Sequence, residues 1–135
     1  MPMTERPSDE LTREQVSAAL VAPQSLLLTA EEAGEAAEGA DWVFVQGRGD
    51  RLHGLRGPAG LDADAAAALA NVPVNWRWLV VDAADEAQGT ALAAPHGHGL
   101  LVRDVQGGLS VAVRATPNPG IFIKRFPDVR RRWKQ

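Results

Sequence analysis

Residues 99–126 read GLLVRDVQGGLSVAVRATPNPGIFIKRF, and this stretch decides the expected fold. Apolar residues alternate with small or polar ones over 109–113, which is the period of a strand with one buried face. The pair Gly107-Gly108 separates that run from the apolar residues 100–105. Because glycine tolerates the positive φ of tight turns, the pair predicts a hairpin between two antiparallel strands.

The chain beyond this hairpin predicts a third strand over residues 121–126. Pro117 and Pro119 lack an amide hydrogen and have a fixed φ, so they predict a turn after the second strand. Residues 121–126 then carry apolar side chains at both odd and even positions. A strand that is apolar on both sides is typical of the interior of a sheet, so we expect a central position.

The upstream sequence predicts the elements that complete and cover this sheet. Capping-box patterns and apolar residues at helical spacing indicate helices, while short apolar runs indicate strands. The polar character of residues 51–56 favours an edge strand, and residues 74–81 fit either a strand or an interrupted helix. The predicted helices cover 12–21, 29–39, 61–72, 82–92 and 128–135, and the predicted strands cover 25–28, 42–45 and 51–56.

Length and composition indicate one α+β domain. A chain of 135 residues suffices for one hydrophobic core, which we assign to residues 11–135, after a flexible polar segment at 1–10. The absence of cysteine excludes disulfides and thiolate chemistry and fits a reducing compartment. No apolar run approaches the ~20 residues of a membrane-spanning helix, and the N-terminus lacks the apolar core of a signal peptide. We therefore expect a cytoplasmic protein.

Positive charge is concentrated at the C-terminal end. Residues 121–135 hold six basic residues and one acid, a charge of +5, so the other 120 residues of this chain of net charge −3 sum to −8. Such a block binds nucleic acid, an anionic membrane or an acidic protein; alternatively, it stabilises the end of the terminal helix while Trp133 docks on the sheet. The candidate partner-binding residues are Lys124, Arg125, Arg130, Arg131, Arg132 and Trp133.

His96 and His98 form the one pattern that resembles a metal site. In an extended segment, His-x-His places both rings on one side, but a site needs a third ligand, often a carboxylate. No third ligand follows at a recognisable spacing, so a solvated glycine-rich loop explains the pair equally simply. A metal-dependent enzyme at His96 and His98 is therefore the last of three hypotheses. The serines, which lie at expected caps, helix faces or strands, suggest no nucleophile.

The order of the elements resembles that of the Roadblock/LC7 family, and local patterns carry the likeness. Residues 42–45, followed by Gly-Arg-Gly-Asp-Arg, resemble the first hairpin of that family. Residues 61–64, with the alanine-rich helix behind them, resemble its second helix, and residues 101–132 resemble its last three strands and helix. The chain departs from the family pattern at Pro73, which interrupts the long helix, and in the additional helix at 12–21.

The resemblance implies a single domain with a five-stranded, mainly antiparallel sheet and helices on its faces, as in profilin-like folds. It implies a bacterial, non-enzymatic regulator or scaffold without a cofactor, whose protein partner is a small Ras-like GTPase. It also implies a homodimer formed through the second helix and a strand edge, while nucleic acid is the second choice of partner. The expected dimer interface comprises Leu61, Ala65, Ala68, Leu69, Trp76 and Trp78, although the two tryptophans fit a core equally well.

Overall fold

The computed structural model describes residues 11–22, 24–46, 51–120 and 122–133. Within them, six strands form one sheet, and five α-helices pack on its two faces. The strands are β1 (Ser25–Thr29), β2 (Trp42–Gln46), β3 (Arg51–Arg56), β4 (Trp76–Asp82), β5 (Gly99–Arg103) and β6 (Leu109–Val113). The helices are α1 (Arg13–Leu20), α2 (Ala30–Ala33), α3 (Ala63–Leu69), α4 (Glu86–Ala93) and α5 (Pro127–Trp133). Short 3-10 turns cover Glu35–Ala37, Ala83–Asp85, Ala94–His96 and Ile123–Arg125.

The order of the strands in the sheet, β1 to β6, follows their order in the chain. β3 and β4 are parallel, as are β4 and β5, and the other neighbouring strands are antiparallel. The helices α3 and α4 join the parallel pairs, because a parallel connection must carry the chain back along the sheet. The expected α+β class is confirmed. The expectation of five mainly antiparallel strands is wrong, since the sheet is mixed and has six strands.

The expected third strand at residues 121–126 is wrong. Its described part forms a single 3-10 turn that leads into α5, and residue 121 lies outside the described residues. The preceding loop is held by Asn75, whose Nδ2 donates to the carbonyls of Asn118 at 3.3 Å and Gly120 at 3.0 Å. The N–H of Asn118 donates in turn to the Asn75 carbonyl at 2.7 Å. The chain is therefore bound beside the start of β4, and β6 is left at the edge of the sheet.

The expected edge position of residues 51–56 is also wrong. These residues form β3, which lies between β2 and β4, and Leu52–Leu55 are buried. The run at 74–81, which the sequence left open between strand and helix, supplies the missing neighbour as β4. A polar-looking strand therefore lies in the interior because its second pairing partner follows it in the chain.

Both predicted capping boxes are confirmed. The hydroxyl of Thr12 accepts from the N–H of Gln15 at 3.2 Å, and the N–H of Thr12 donates to the Gln15 side chain at 2.8 Å. Thr29 and Glu32 repeat the arrangement at 3.1 and 3.0 Å. The helix predicted at 29–39 is shorter than expected, since α2 ends at Gly34, where φ is 105°.

Helices cover the two faces of the sheet unequally. We call the side covered by α2, α3, α4 and α5 the four-helix face, and the side covered by α1 the α1 face. The buried residues of the four-helix face are Leu28, Ala33, Ala37, Ala40, Val43, Val45, Leu52, Ala66, Leu69, Val72, Val74, Leu79, Val81, Ala93, Leu100, Val102, Phe126 and Val129. Those of the α1 face are Leu11, Val16, Ala22, Phe44, Leu55, Trp78, Val80, Leu101 and Ala115.

The helix α1 bridges the two edges of the sheet. It contacts both β1 and β6, so the sheet curls around the helix. At the β1 end, Arg13 Nη1 donates to Ser25 Oγ at 3.2 Å, and at the other end Gln15 Nε2 donates to the Gly107 carbonyl at 2.5 Å. Val16 is the one buried residue of α1. None of the described helices has the length and apolar character needed to cross a membrane.

Candidate functional site

Strand β6 is the last strand of the sheet, and no strand among the described residues pairs with its outer side, which we call the open edge. Four of its five residues are exposed, and among them Val111 and Val113 retain 39% and 36% of their surface. The N–H of Asp104 donates to the Gly108 carbonyl at 2.9 Å, so Gly108 directs its main-chain groups toward β5. In an antiparallel pair, every second residue does so, and the residues between them direct their main-chain groups outward. Leu109 and Val111 therefore direct their main-chain N–H and C=O groups away from β5.

A β-bulge limits the regular part of this edge. The register shifts between Leu100 and Leu101, which face Val113 and Val111, so Ala112 is the extra residue of β6. A bulge bends a strand and disfavours uncontrolled pairing at an edge. The segment 109–111 is therefore the part of β6 that fits another strand. Val105, which is fully exposed in the adjoining turn, adds apolar surface beside it.

The basic C-terminal residues are partly paired within the chain. The predicted helix at 128–135 begins one residue earlier, at Pro127, and is described as far as Trp133. Arg132 Nη1 lies 3.6 Å from Glu32 Oε2, and Arg131 pairs with Asp128 of the same helix. Trp133 packs against the core of the four-helix face, which matches the sequence alternative in which this indole docks on the sheet.

Three of the basic residues, including the paired Arg131, lie around one cleft. Lys124, Arg130 and Arg131 line one open cleft around Pro127, and no described carboxylate lines it. Arg125 is exposed and lines a separate groove that also contains glutamates of the α2 region. Of the six candidate partner-binding residues, three line the cationic cleft, although one of these, Arg131, also pairs with Asp128. Arg125 lies in a mixed-charge groove, Arg132 pairs with Glu32, and Trp133 is docked on the core.

Half of the expected dimer interface lies inside the protomer. The expectation rested on one helix face and two tryptophans. The buried residues of that set are Ala65, Leu69 and Trp78. The residues that keep accessible surface are Leu61, Ala68 and Trp76. Of the six expected interface residues, these three are the ones still accessible to a second copy.

The histidine pair His96 and His98 is occupied by other contacts. The two rings stack with their centroids 5.0 Å apart. His98 is buried, and its Nε2 lies 2.8 Å from the Ala66 carbonyl, which can only accept, so this nitrogen is protonated and not free for a metal. Burial lowers the pKa of His98 and keeps the ring neutral. In the part of the chain that the structure describes, no three His, Asp or Glu side chains lie close enough to hold a metal.

His53 is the centre of a polar contact inside the α1 face. The indole N–H of Trp78 donates to its Nδ1 at 2.9 Å, so Nε2 carries the proton and donates to the side-chain oxygen of Gln46. Trp76 stacks on the ring with a centroid distance of 4.7 Å, and Phe44 meets it edge-on at 5.7 Å. Burial lowers the pKa of His53 to about 3, so the ring is neutral in the folded chain at ordinary pH.

Sequence reasoning missed the open edge, His53 and Asn75. The prolines in the turn after β6 were the one signal for the edge, because they argue against a strand that returns directly. His53 and Asn75 carry no local signal, since their partners lie in other strands and loops. Comparisons with protein-family models, curated proteins and solved structures give no match to this chain.

Proposed function

We propose that this chain is a protein-binding regulator or scaffold that acts without chemistry of its own. Its working form is a homodimer, and its partner is a small Ras-like GTPase, as the Roadblock/LC7 resemblance implies. The observation that carries the proposal is the open edge of β6, with exposed Val111 and Val113. An extended segment of a partner adds to such an edge through main-chain hydrogen bonds, and exposed apolar side chains give the contact its selectivity.

The outward main-chain groups of Leu109 and Val111 define how a partner segment binds. Together they offer two N–H donors and two C=O acceptors, and the bulge at Ala112 ends the pairing. A regulator of this kind shifts its partner toward the conformation that presents the matching segment. The sheet differs from the one that the resemblance implies, so the proposal rests on this edge and not on a shared topology.

The test uses the outward amide of Val111. In a Val111→Pro variant, that amide hydrogen is removed, while the hydrogen bonds of Ser110 to β5 are left intact. We expect calorimetry to detect binding of the wild type to a Ras-like GTPase loaded with GDP or with a GTP analogue, and the variant to lose it. Val111→Ala, which shortens the same side chain but keeps the amide hydrogen, is the matched control and should retain binding. Equal binding by the variant, or no binding in either nucleotide state, contradicts the proposal.

The homodimer has its own measurement. Light scattering at low and high salt gives the mass of the particle. We expect a dimer that does not depend on salt, because the accessible residues of the expected interface, Leu61, Ala68 and Trp76, are apolar. A monomer at all concentrations contradicts this part of the proposal and leaves the edge of β6 as a site for a partner.

A second candidate function is binding of nucleic acid at the C-terminal segment. The cleft of Lys124, Arg130 and Arg131, which lacks a described carboxylate, favours it. Anisotropy of a labelled single-stranded RNA would show affinity that falls steeply with salt. The double variant Lys124→Gln with Arg130→Gln is expected to weaken binding, whereas Arg132→Gln, whose parent arginine pairs with Glu32, is the control. No binding at low salt removes this candidate.

A further inference from the structure

The attachment of α1 to the rest of the chain is small compared with the surface that it covers. Val16 is its one buried residue, Ala19 and Leu20 are only partly buried against the same core, and two side-chain hydrogen bonds, from Arg13 and Gln15, hold its two sides. Beneath it lie the aromatic and aliphatic side chains of the α1 face, including Phe44 and Trp78. The α1 face is therefore a groove for one short amphipathic helix, and the helix that now fills it is supplied by the same chain.

The connection from α1 to β1 is strained at Val21. This residue caps the helix with φ 53° and ψ 59°, the left-handed conformation that β-branched residues adopt rarely. Its side chain is 82% exposed, so no packing of the valine compensates for the conformation. The turn is closed by Ser17, whose carbonyl accepts from the N–H of Ala22 at 3.0 Å and whose hydroxyl donates to the Ala22 carbonyl at 2.7 Å.

We infer that α1 exchanges between two copies of this chain, so that each copy's groove holds the helix of the other. The groove accepts the same helix whichever chain supplies it. Extension of the backbone at Val21 removes the left-handed strain, and a short connection under strain is the feature that favours such exchange. The inference rests on the homodimer proposed above, and it assigns the contact between copies to α1 instead of α3. The edge of β6 then stays available to a partner.

Cross-linking distinguishes the exchanged dimer from any other dimer. The chain has no cysteine, so Arg13→Cys with Ser25→Cys introduces the only two thiols, at positions whose side chains now meet at 3.2 Å. After reaction of the native dimer with a short bismaleimide, we expect a double-chain mass under denaturing conditions, because position 13 of one copy faces position 25 of the other. A single-chain mass from a native dimer overturns the exchange but leaves the dimer. A single-chain mass from a native monomer overturns both.

A second variant tests the role of strain without touching the groove. Val21→Gly adopts the left-handed conformation freely, so it stabilises the closed form of each chain. We expect the dissociation constant of the dimer, measured by sedimentation, to rise at least about tenfold, since two connections contribute. The matched control Val105→Gly makes the same change in an exposed turn and is expected to stay within about twofold. An unchanged constant in Val21→Gly overturns the inference.

Discussion

The four-helix face is closed by helices from four parts of the chain, whereas the α1 face has one eight-residue helix across it. The four-helix face buries twice as many apolar residues as the α1 face, and among them lies one buried histidine, His98, bonded to the Ala66 carbonyl. The α1 face also buries His53, and it carries the ion pair between Arg103 and Asp82 at 2.8 Å. Two of its tryptophans, Trp42 and Trp76, remain partly exposed.

This difference predicts that most of the stability of the domain comes from the four-helix face and that the α1 face opens more easily. Local opening needs least free energy where few apolar contacts are broken. We therefore expect the four-helix face to unfold only with the whole domain, and α1 to leave its groove at a lower cost. Three substitutions test this division, with expected losses of stability that decrease from Leu69 through Asn75 to Val16.

Leu69→Ala in α3 tests the four-helix face. Leu69 is fully buried, and loss of its side chain leaves a cavity among helix and strand residues. We expect the free energy of unfolding to fall by about 2–5 kcal/mol, in a single cooperative transition. Urea unfolding followed by circular dichroism and tryptophan fluorescence measures it. A change below about 1 kcal/mol would contradict the assignment of this face as the main source of stability.

Asn75→Ala tests the link that holds the C-terminal loop. Beside its two bonds to that loop, the Asn75 side chain accepts from the buried N–H of Leu52 at 3.0 Å. The substitution leaves these groups without a partner, so we expect a loss of about 2–3 kcal/mol. Asn71→Ala, an exposed asparagine in the same connection, is the control and should change little. If both variants unfold at the wild-type urea concentration, the loop is not held by Asn75.

Val16→Ala tests the α1 face. Removal of the buried methyl groups should cost roughly 1.5 kcal/mol, at about 0.8 kcal/mol per methylene equivalent. The sharper observable is hydrogen exchange, in which we expect the amides of α1 to exchange faster in the variant while the amides of α3 follow global unfolding. If the amides of both helices exchange faster by the same factor, the two faces open together and do not differ in local stability.

The neutral state of His53 predicts a pH dependence. Its pKa is about 3 in the folded chain and 6.5 when exposed, so between these values the unfolded chain binds a proton that the folded chain does not. The contribution of neutral His53 to the free energy of unfolding is complete above pH 6.5. As the pH falls toward 3, the free energy of unfolding decreases by up to about 1.4 kcal/mol per pH unit. The lowered pKa of His98 acts in the same direction.

Urea unfolding across this pH range isolates the contribution of His53. His53→Gln should flatten the dependence, and His98→Gln should leave the part due to His53. A wild-type stability that stays constant from pH 6.5 to pH 4 would mean that His53 is protonated in the folded chain, and that the polar contact in the α1 face is absent.

Features encoded by neighbouring residues were predictable from the sequence. The capping boxes at Thr12 and Thr29 and the Gly107-Gly108 hairpin each depend on a few consecutive residues. The prediction of a third strand was wrong because the conformation of an apolar run depends on its tertiary contacts. Here Asn75 binds the preceding loop at Gly120, 45 residues further along the chain. The same error hid the open edge of β6, since the expected strand would have covered it.

The position of β3 in the sheet and the contacts of His53 could not be predicted without knowledge of the fold. β3 looked like an edge because its second neighbour, β4, lay in the run that fitted either strand or helix. A single histidine in a strand gives no sign of its partners, which here come from β2 and β4. Local patterns indicated most of the helices and strands, but they did not settle β4, they added a strand at 121–126, and they did not give the partners of each strand.

The bridge that α1 makes between the two sheet edges has a consequence for the order of folding during synthesis. Because the strands are arranged in chain order, each strand emerging from the ribosome finds its neighbour already made, and the loops to be closed are short. The helix α1 departs from this order, since Gln15 and Gly107 are 92 residues apart. The helix α1 therefore waits for the β5–β6 hairpin, which is made long after it, and until then its groove is open to any other helix nearby.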